Sequence, residues 1–309
     1  MAMTIAVANM KGGVGKTASV ISLAETLAAN SVERAAKGQD KRKSILVVDL
    51  DAQASASFAL AGDEKLLTLI KQGRTLDGFL DRFLVRREEV DFGSFVTRQI
   101  SDVSHRNAPL DIGLLASSPR LRIVERNLLL SLTRGGYSLD KVEHDFYQLL
   151  SGRIRALSVG FDYVIFDCPP GISVLTEIAL RLADITIVPT IPDFLSLLGL
   201  DAFTQNIWSR LSKGPNGLPP PRSVPYVLIN RRRPIAMHDK KVSELRRRVA
   251  EGRADYRVFI TEIPDAEGVP EALERVTTFP NYVQKWNAEL RSHLVDLASE
   301  VDSLLAVPP

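Results

Sequence analysis

The sequence has a single cysteine, Cys168, and no apolar stretch that approaches eighteen residues. One cysteine cannot form a disulfide within the chain, and no apolar segment typical of secretion signals follows the first methionine. The apolar runs are short and are bounded by Asp, Gly or Pro, which argues against a membrane-spanning helix. These absences predict a cytoplasmic protein with no membrane partner.

The chain has 309 residues, of which 45% are hydrophobic and 25% charged, enough for one large globular domain or two small ones. We find no internal repeat and no interdomain linker, and we predict a single domain over residues 1–309 with a helical excursion at about 61–109. The net charge is only +2, but residues 222–257 hold eleven Lys or Arg against four Asp or Glu. This local balance of +7 indicates a basic segment.

Short β-branched runs recur between longer segments with helical periodicity. The runs are TIAVA from Thr4, SILVVDL from Ser44, YVIFD from Tyr163, ITIVPT from Ile185 and PYVLIN from Pro225, with shorter candidates LDIGLLAS from Leu110 and YRVFITEI from Tyr256. Continuous apolar runs suit strands buried on both faces, and intervening helices imply parallel pairing with right-handed crossovers. The sequence therefore predicts a doubly wound α/β fold with a mostly parallel sheet and helices on both faces.

The stretch NMKGGVGKTA from Asn9 to Ala18 follows the first strand and precedes an amphipathic helix. Glycines let backbone N–H groups converge on an anion, and a helix N-terminus adds its dipole. Lys16 is placed to reach the β and γ phosphates of a nucleotide, and Thr17 to ligate Mg²⁺. Because Met10 replaces the first glycine of G-x-x-x-x-G-K-[ST], the residues match K-G-G-x-G-K-[ST] instead. The predicted cofactor-binding loop consists of Lys11, Gly12, Gly13, Val14, Gly15, Lys16, Thr17 and Ala18.

Two segments place carboxylates at strand ends. VVDLDAQAS ends one strand with Asp49 and Asp51, and FDYVIFDCPPG ends another with Asp167. Open α/β sheets bind ligands at the carboxyl ends of their strands, and alternation puts Asp49 and Asp51 on one face. Asp167 is typical of a Walker B residue that holds the Mg²⁺ shell. Cys168 has no histidine nearby in sequence, so we interpret it as a small buried residue rather than a nucleophile.

These motifs resemble the ParA/MinD class of P-loop ATPases, whose deviant Walker A motif carries the additional lysine. The resemblance runs from Met3 to about Leu305, with the motifs in the family's order, and is weakest over residues 61–109. It implies ATP and Mg²⁺ as cofactors and a nucleotide-sandwich homodimer in which Lys11 reaches the phosphates of the other subunit.

By the same resemblance Lys11, Lys16 and Asp51 are catalytic, with Asp51 orienting the attacking water. Asp49 assists Mg²⁺ through water and joins Thr17 and Asp167 as the metal residues. Ala52 replaces the family's proline in this segment. Residues 189–203 resemble part of the family's dimer face. Asn230 matches the residue that reads adenine, and Pro264 lies in the segment that closes over the base.

The family divides by what its dimer binds. A MinD-like protein needs a basic amphipathic C-terminal helix, but the apolar stripe near the end of this chain carries acidic residues, so we interpret it as a core-packing helix. The nitrogenase iron-protein branch needs several cysteines to hold a cluster between its subunits, and this chain has one. ParA-like proteins bind DNA through basic residues. The candidates here are Arg231, Arg232, Arg233, Lys240, Lys241, Arg246, Arg247 and Arg248. The alternatives, arginines that pack on the nucleotide or a solvated helix face, stay open.

The sequence therefore predicts an ATPase closest to the ParA/Soj partition proteins, with slow, partner-stimulated hydrolysis. It would dimerise on Mg-ATP, bind double-stranded DNA non-specifically in the nucleoid, and position a plasmid, chromosome locus or protein cargo with a ParB-like or other adaptor protein. The alternative is a nucleotide-gated dimeric regulator or a MinD-like positioning protein that acts through protein partners.

Overall fold

The computed structural model describes residues 2–134, 138–214, 217–274 and 281–306. Its strands are β1 (Met3–Val7), β2 (Ile45–Asp49), β3 (Val96–Thr97), β4 (Ser104–His105), β5 (Ala108–Pro109), β6 (Ile112–Leu115), β7 (Tyr163–Asp167), β8 (Ile185–Thr190), β9 (Tyr226–Arg232) and β10 (Arg257–Pro264). Its α-helices are α1 (Lys16–Ala36), α2 (Ser55–Lys71), α3 (Leu76–Leu80), α4 (Leu121–Arg134), α5 (Leu139–Leu157), α6 (Val174–Leu182), α7 (Phe194–Ala202), α8 (Ser209–Ser212), α9 (Ala236–Ala250), α10 (Gly268–Glu274), α11 (Tyr282–Lys285) and α12 (Ala288–Ala306).

The main sheet is parallel except at one edge. Its strand order is β10-β9-β8-β1-β7-β2-β6-β3, with β3 antiparallel to β6, while β4 and β5 form a separate antiparallel pair. Every residue of β2, β7 and β8 is buried, as expected for strands covered by helices on both faces. The predicted doubly wound, mostly parallel α/β fold is confirmed.

Alternate residues of the central strands build two apolar cores. Ala6 and Phe166 point to one face and pack with residues of α5 and α6. Ile5 and Ile165 point to the other face and pack with residues of α1 and α12. Because both faces are filled, the carboxyl ends of these strands form a fixed edge on which side chains can be positioned.

The stretch over residues 61–109 is helical only in its first part. The helix α2 continues through a kink at Gly62, and a π-helical turn after α3 ends at Val85. From Phe92 onward the chain forms a 3₁₀ turn and the two-residue strands β3, β4 and β5. Strands of two residues are too short to show a hydrophobic period, so the sequence pattern indicated only the helices.

The helix α12 buries its apolar stripe. Leu290, Leu294, Leu297 and Val301 are at most 3% exposed and belong to the core that contains α1. The interpretation of this stripe as a core-packing helix is confirmed. Within the described ranges, no helix is long and apolar enough to cross a membrane.

The same helix covers the edge strand β10. The Glu300 carboxylate accepts hydrogen bonds from the backbone N–H groups of Ile260 at 2.8 Å and Thr261 at 3.1 Å. Unpaired N–H groups at a sheet edge can pair with another chain, and a carboxylate that occupies them prevents this. Glu300 therefore fixes the strand whose C-terminal end borders the site described below.

Glu300→Ala should lower the free energy of unfolding by about 1–3 kcal/mol, because two backbone donors lose a charged acceptor. Glu300→Gln keeps an acceptor oxygen and should lose less. Urea denaturation followed by circular dichroism measures both variants. Asp296→Ala, at an exposed position one turn earlier, is the control and should change the value by less than about 0.5 kcal/mol. An equal loss at positions 296 and 300 would contradict this role of Glu300.

Candidate functional site

The glycine-rich loop lies between β1 and α1, at the centre of the carboxyl edge of the sheet. Gly13 and Gly15 have φ values of +75° and +89°, which residues with a Cβ rarely adopt. Gly15 also lies against Asn230, since a Cβ on Gly15 would come within 2.2 Å of Asn230 Nδ2. The Asn230 amide donates to the carbonyl of Val14 at 2.9 Å, so the end of β9 holds the loop.

Asn9 anchors the start of the loop, a role that the sequence patterns missed. This residue is 1% exposed. Its Nδ2 donates to the Pro189 carbonyl at 2.8 Å, and its Oδ1 accepts from the Lys11 N–H at 3.0 Å. The loop is thereby tied to the end of β8. The available signal was a polar amide directly after a buried strand, where an unpaired group would be costly.

Thr17 and Asp167 meet below the loop. The Thr17 hydroxyl donates to Asp167 Oδ2 at 2.8 Å. Asp167 is 1% exposed, and its other oxygen, Oδ1, is buried without a hydrogen-bond partner. An unpartnered carboxylate oxygen beside a hydroxyl fits Mg²⁺, which uses one or two carboxylates together with phosphate and water oxygens.

A cage of protein ligands alone is not present in the described part of the chain, where no group of three or more His, Cys, Asp or Glu could hold a metal ion. A Mg²⁺ shared with a nucleotide does not require one. Cys168 follows Asp167 and is buried, and burial raises the pKa of its thiol. A thiol that stays protonated is a poor nucleophile, which supports its interpretation as a core residue.

Asp49 is completely buried and shapes the turn after β2. Its Oδ2 accepts from the N–H and the hydroxyl of Ser57 at 2.8 and 2.7 Å, and its Oδ1 accepts from the Asp51 N–H at 3.0 Å. Asp49 also pairs in register with Asp167 across β2 and β7. The two carboxylates therefore lie side by side, while the water-mediated role of Asp49 toward Mg²⁺ stays a prediction. Ser57 was not identified from the sequence.

The turn that carries Asp51 is strained. Asp51 Oδ1 accepts from the Gln53 N–H at 2.9 Å. Ala54, three residues later, has a φ of +55°, a left-handed conformation that costs an alanine roughly 1–2 kcal/mol. Strain of this kind persists where neighbouring contacts enforce it and is typical of segments that switch between conformations.

The charges at this edge influence one another. Burial raises the pKa of Asp49 to about 6. Burial, reinforced by the negative charge of Asp49, raises the pKa of Asp167 well above its usual value. Burial also lowers the pKa of Lys16, although the charge of Asp167 opposes this. A cation placed among these carboxylates would favour their ionised forms, so the site is suited to binding one.

A cavity of about 990 Å³ opens beside the loop. The residues in its wall that were predicted to bind nucleotide, hold metal or act in catalysis are Gly12, Gly13, Gly15, Lys16, Thr17, Ala18, Asp51, Asn230 and Pro264. Apolar side chains also line the cavity, among them Leu273 from α10 and Leu294 from α12. A wall that combines a glycine-rich loop and Lys16 with apolar side chains suits the phosphates and the base of a nucleotide. Asn230 and Pro264 are placed for contact with the base, and that role stays a prediction.

Lys11 does not lie in the wall of this cavity. Its Nζ donates to Ser196 Oγ at 2.9 Å and is 3.4 Å from the Asp193 carboxylate. Asp193 caps α7 by accepting from the Ser196 N–H at 2.7 Å. Lys16 instead is only 7% exposed, and its Nζ donates to the Lys11 carbonyl at 3.1 Å. The two lysines of one loop therefore face different surroundings, and neither partner of Lys11 was identified from the sequence.

The helix α7 presents an apolar face to solvent beside Lys11. Phe194, Leu195 and Leu198 are 67%, 63% and 57% exposed. The Lys11 Cβ lies 3.8 Å from where a Cβ on Gly199 would be. Three large apolar side chains exposed together on one helix mark a surface for association.

Most of the predicted DNA-binding residues form ion pairs. The pairs are Arg231–Asp265, Arg232–Asp239, Arg232–Glu262, Arg233–Asp265, Lys241–Glu244, Arg246–Glu262, Arg248–Asp201 and Arg248–Glu244. Lys240 and Arg247 are exposed and form no ion pair with any described residue. Arg231 lies in the wall of the nucleotide-sized cavity, so packing on a nucleotide remains open for this residue.

The chain matches a known family model and is similar in sequence to known proteins. Residues 2–214 match the family model AAA_31, described as an AAA domain. The chromosome partitioning protein ParA of Myxococcus xanthus is 28% identical over 204 residues, which are 66% of this chain and 57% of that protein. The match thus spans less than two thirds of that relative.

Two solved structures are similar in fold. A cobyrinic acid a,c-diamide synthase from Mycobacterium smegmatis with bound ADP and magnesium has a TM-score of 0.62 and 24% identity, over 89% of this chain and 92% of that chain. The pNOB8 ParA bound to nonspecific DNA has a TM-score of 0.62 and 16% identity, over 99% of both chains. At sequence identities this low, the structural similarity establishes a common fold alone.

Proposed function

The chain belongs to the AAA domain family AAA_31 and to the ParA/MinD class of P-loop ATPases, and from this premise we propose that it is a ParA-type positioning ATPase. It binds Mg-ATP, forms a homodimer, and binds double-stranded DNA without sequence preference in the nucleoid of the cytoplasm. A ParB-like or other adaptor links it to a plasmid, chromosome locus or protein cargo and stimulates its slow hydrolysis of ATP. The observation that carries this proposal is the separation of Lys16, in the cavity wall, from Lys11, beside an exposed apolar helix.

The residues around the cavity support ATP binding and hydrolysis. The loop N–H groups and Lys16 hold the phosphates, and Thr17 and Asp167 hold Mg²⁺. When held there, Mg²⁺ would supply positive charge against the negative charge of the phosphates. Asp51 lies in the cavity wall and orients the attacking water, while Asp49 holds the Asp51 backbone by its hydrogen bond. The strained turn after Asp51 allows this segment to respond to the γ phosphate.

The surface beside the loop supports the dimer. The Lys11 side chain is one third exposed, and its Nζ contacts Ser196 and Asp193. The exposed face of α7 gains from burial against a second copy, which brings Lys11 toward the other subunit's phosphates. A lysine delivered in this way stabilises negative charge that develops during phosphoryl transfer, and only after the two subunits meet.

The basic segment supports DNA binding. Lys240 and Arg247 are exposed on α9, and the local balance of +7 attracts a polyanion without regard to sequence. The relative pNOB8 ParA has this fold in a complex with nonspecific DNA. A phosphate-dominated interface of this kind is weakened steeply by salt.

The experiment that tests the function is retention of double-stranded DNA of random sequence, with and without ATP and Mg²⁺, over a series of salt concentrations. We expect retention with ATP at about 50 mM salt and a loss of several hundredfold or more in affinity by about 200 mM. Binding that is equal with and without ATP would contradict the proposal. An ATP-dependent dimer that retains no DNA would favour the regulator that acts through protein partners.

A further inference from the structure

Asp265 directly follows β10 and bridges two arginines of the basic segment. Its carboxylate accepts from Arg231 Nε at 3.1 Å and from Arg233 Nε at 2.6 Å. Its backbone N–H donates to the Arg232 carbonyl at 3.0 Å, so main chain and side chain both join it to the end of β9. The Asp265 side chain is 22% exposed, against 49% for Arg231 and 59% for Arg233. The carboxylate is therefore the less hydrated member of each pair.

Glu262, within β10, holds a second pair of arginines. It accepts from Arg232 Nε at 3.0 Å and from Arg246 Nη2 at 2.8 Å. Guanidinium N–H groups that donate to a carboxylate are not available to a phosphate at the same time. The two carboxylates thus occupy four arginines that the sequence indicated for DNA.

The two carboxylates differ in their relation to the nucleotide-sized cavity. Asp265 lies in its wall together with Pro264 and Arg231, whereas Glu262 does not. Arg231 has a φ of +53°, a left-handed conformation that a non-glycine residue keeps only under constraint. The backbone N–H of Arg231 donates to Asn230 Oδ1 at 3.0 Å, and its side chain is held by Asp265. A ligand in the cavity would contact Asp265 itself, whereas it would affect the ion pairs of Glu262 only through neighbouring residues.

We propose that Asp265 is an inhibitory carboxylate. It neutralises Arg231 and Arg233 while the cavity is empty, and the nucleoside end of ATP displaces it, so that both arginines become free to bind DNA phosphates. Glu262 neutralises its two arginines in either nucleotide state. This inference rests on the DNA binding proposed above and adds the contact through which ATP controls it.

The test measures the affinity for a short duplex by fluorescence anisotropy at several salt concentrations, with and without Mg-ATP. For Asp265→Asn we expect nucleotide-free protein to bind at least about tenfold more tightly at 0.1 M salt than wild type, with a salt slope steeper by up to about 2. With ATP its affinity should equal that of wild type. ATP-dependent dimerisation, measured on the same sample, shows that the variant is folded and binds nucleotide.

Two variants that remove the same charge serve as controls. Glu262→Gln frees Arg246, while Arg232 keeps its ion pair with Asp239, and Glu262 lies outside the cavity wall, so this variant should raise affinity equally with and without ATP. Glu251→Gln removes a carboxylate that pairs with Arg253 and does not line the cavity, and it should leave the dependence on ATP unchanged. If wild type needs ATP to bind DNA and Asp265→Asn still needs it equally, the inhibitory carboxylate is overturned while DNA binding stands. If wild type binds no DNA in any state, the proposed DNA binding itself fails.

Discussion

Gly15→Ala should weaken ATP binding roughly 30-fold to 150-fold. The loop needs a φ of +89° at this position, which costs a residue with a Cβ about 1–2 kcal/mol. The added methyl group would also lie 2.2 Å from Asn230 Nδ2, and moving Asn230 would break its bond to the Val14 carbonyl, worth about 1 kcal/mol. The sum is about 2–3 kcal/mol, and about 1.4 kcal/mol corresponds to a factor of ten. Isothermal titration calorimetry with Mg-ATP measures the change.

A matched glycine on a distant helix provides the control. A Cβ on Gly152, in α5, meets no atom within 4 Å, so Gly152→Ala should bind ATP as wild type does. The double variant Gly15→Ala with Asn230→Ala removes the steric contact but also loses the bond to the Val14 carbonyl and keeps the unfavourable φ, so it should bind ATP no more tightly than Gly15→Ala. Undiminished ATP binding by Gly15→Ala would show that the loop does not use this geometry.

Lys11→Ala should abolish ATP-dependent dimerisation and lower the rate of ATP hydrolysis by about 10³-fold or more, the range seen when a positively charged finger is lost. Binding of ATP to the monomer should be largely kept, because Lys11 does not lie in the cavity wall. Its side chain instead contacts Ser196 on α7 and Asp193, which caps that helix. Light scattering after size exclusion measures the dimer, and phosphate release measures the rate.

Two further variants separate the charge of Lys11 from its contacts within the monomer. Lys11→Arg keeps the positive charge and should retain part of the turnover. Ser196→Ala removes the hydroxyl that accepts from Lys11 Nζ at 2.9 Å, and dimerisation should be kept or strengthened because Lys11 leaves α7 more easily. Normal ATP-driven dimerisation of Lys11→Ala would refute the assignment of this lysine to the other subunit.

The strand–loop–helix unit was predictable because its signals are local. Apolar runs, glycines and Lys16 lie within a few residues of one another, and strand periodicity places the following carboxylates at one edge. Thr17 and Asp167 are 150 residues apart in sequence, yet a parallel sheet with β1 beside β7 brings them to 2.8 Å. The excursion after α2 was harder to predict, because turns and two-residue strands depend on packing rather than on a period.

The contacts that hold the site were not readable from the sequence. Asn9, Ser57 and Asp193 act through partners that come from other elements, as when Asn9 reaches the Pro189 carbonyl from the neighbouring strand. Any chain contains many polar residues at strand ends, and only the folded arrangement selects those that meet a partner.

In the basic segment too, the sequence revealed the charge and only the structure revealed the partners of each charge. Composition alone established its local charge of +7, since charge is a property of the residues themselves. Only the tertiary structure decided that Asp265 and Glu262 occupy four of its arginines, and that one of these carboxylates lies in the wall of the cavity. The sequence by itself determined the fold class, the loop and its two lysines, because period and motif are local. The partners of each charge were decided by which strands lie side by side, because an ion pair requires proximity in space rather than in sequence.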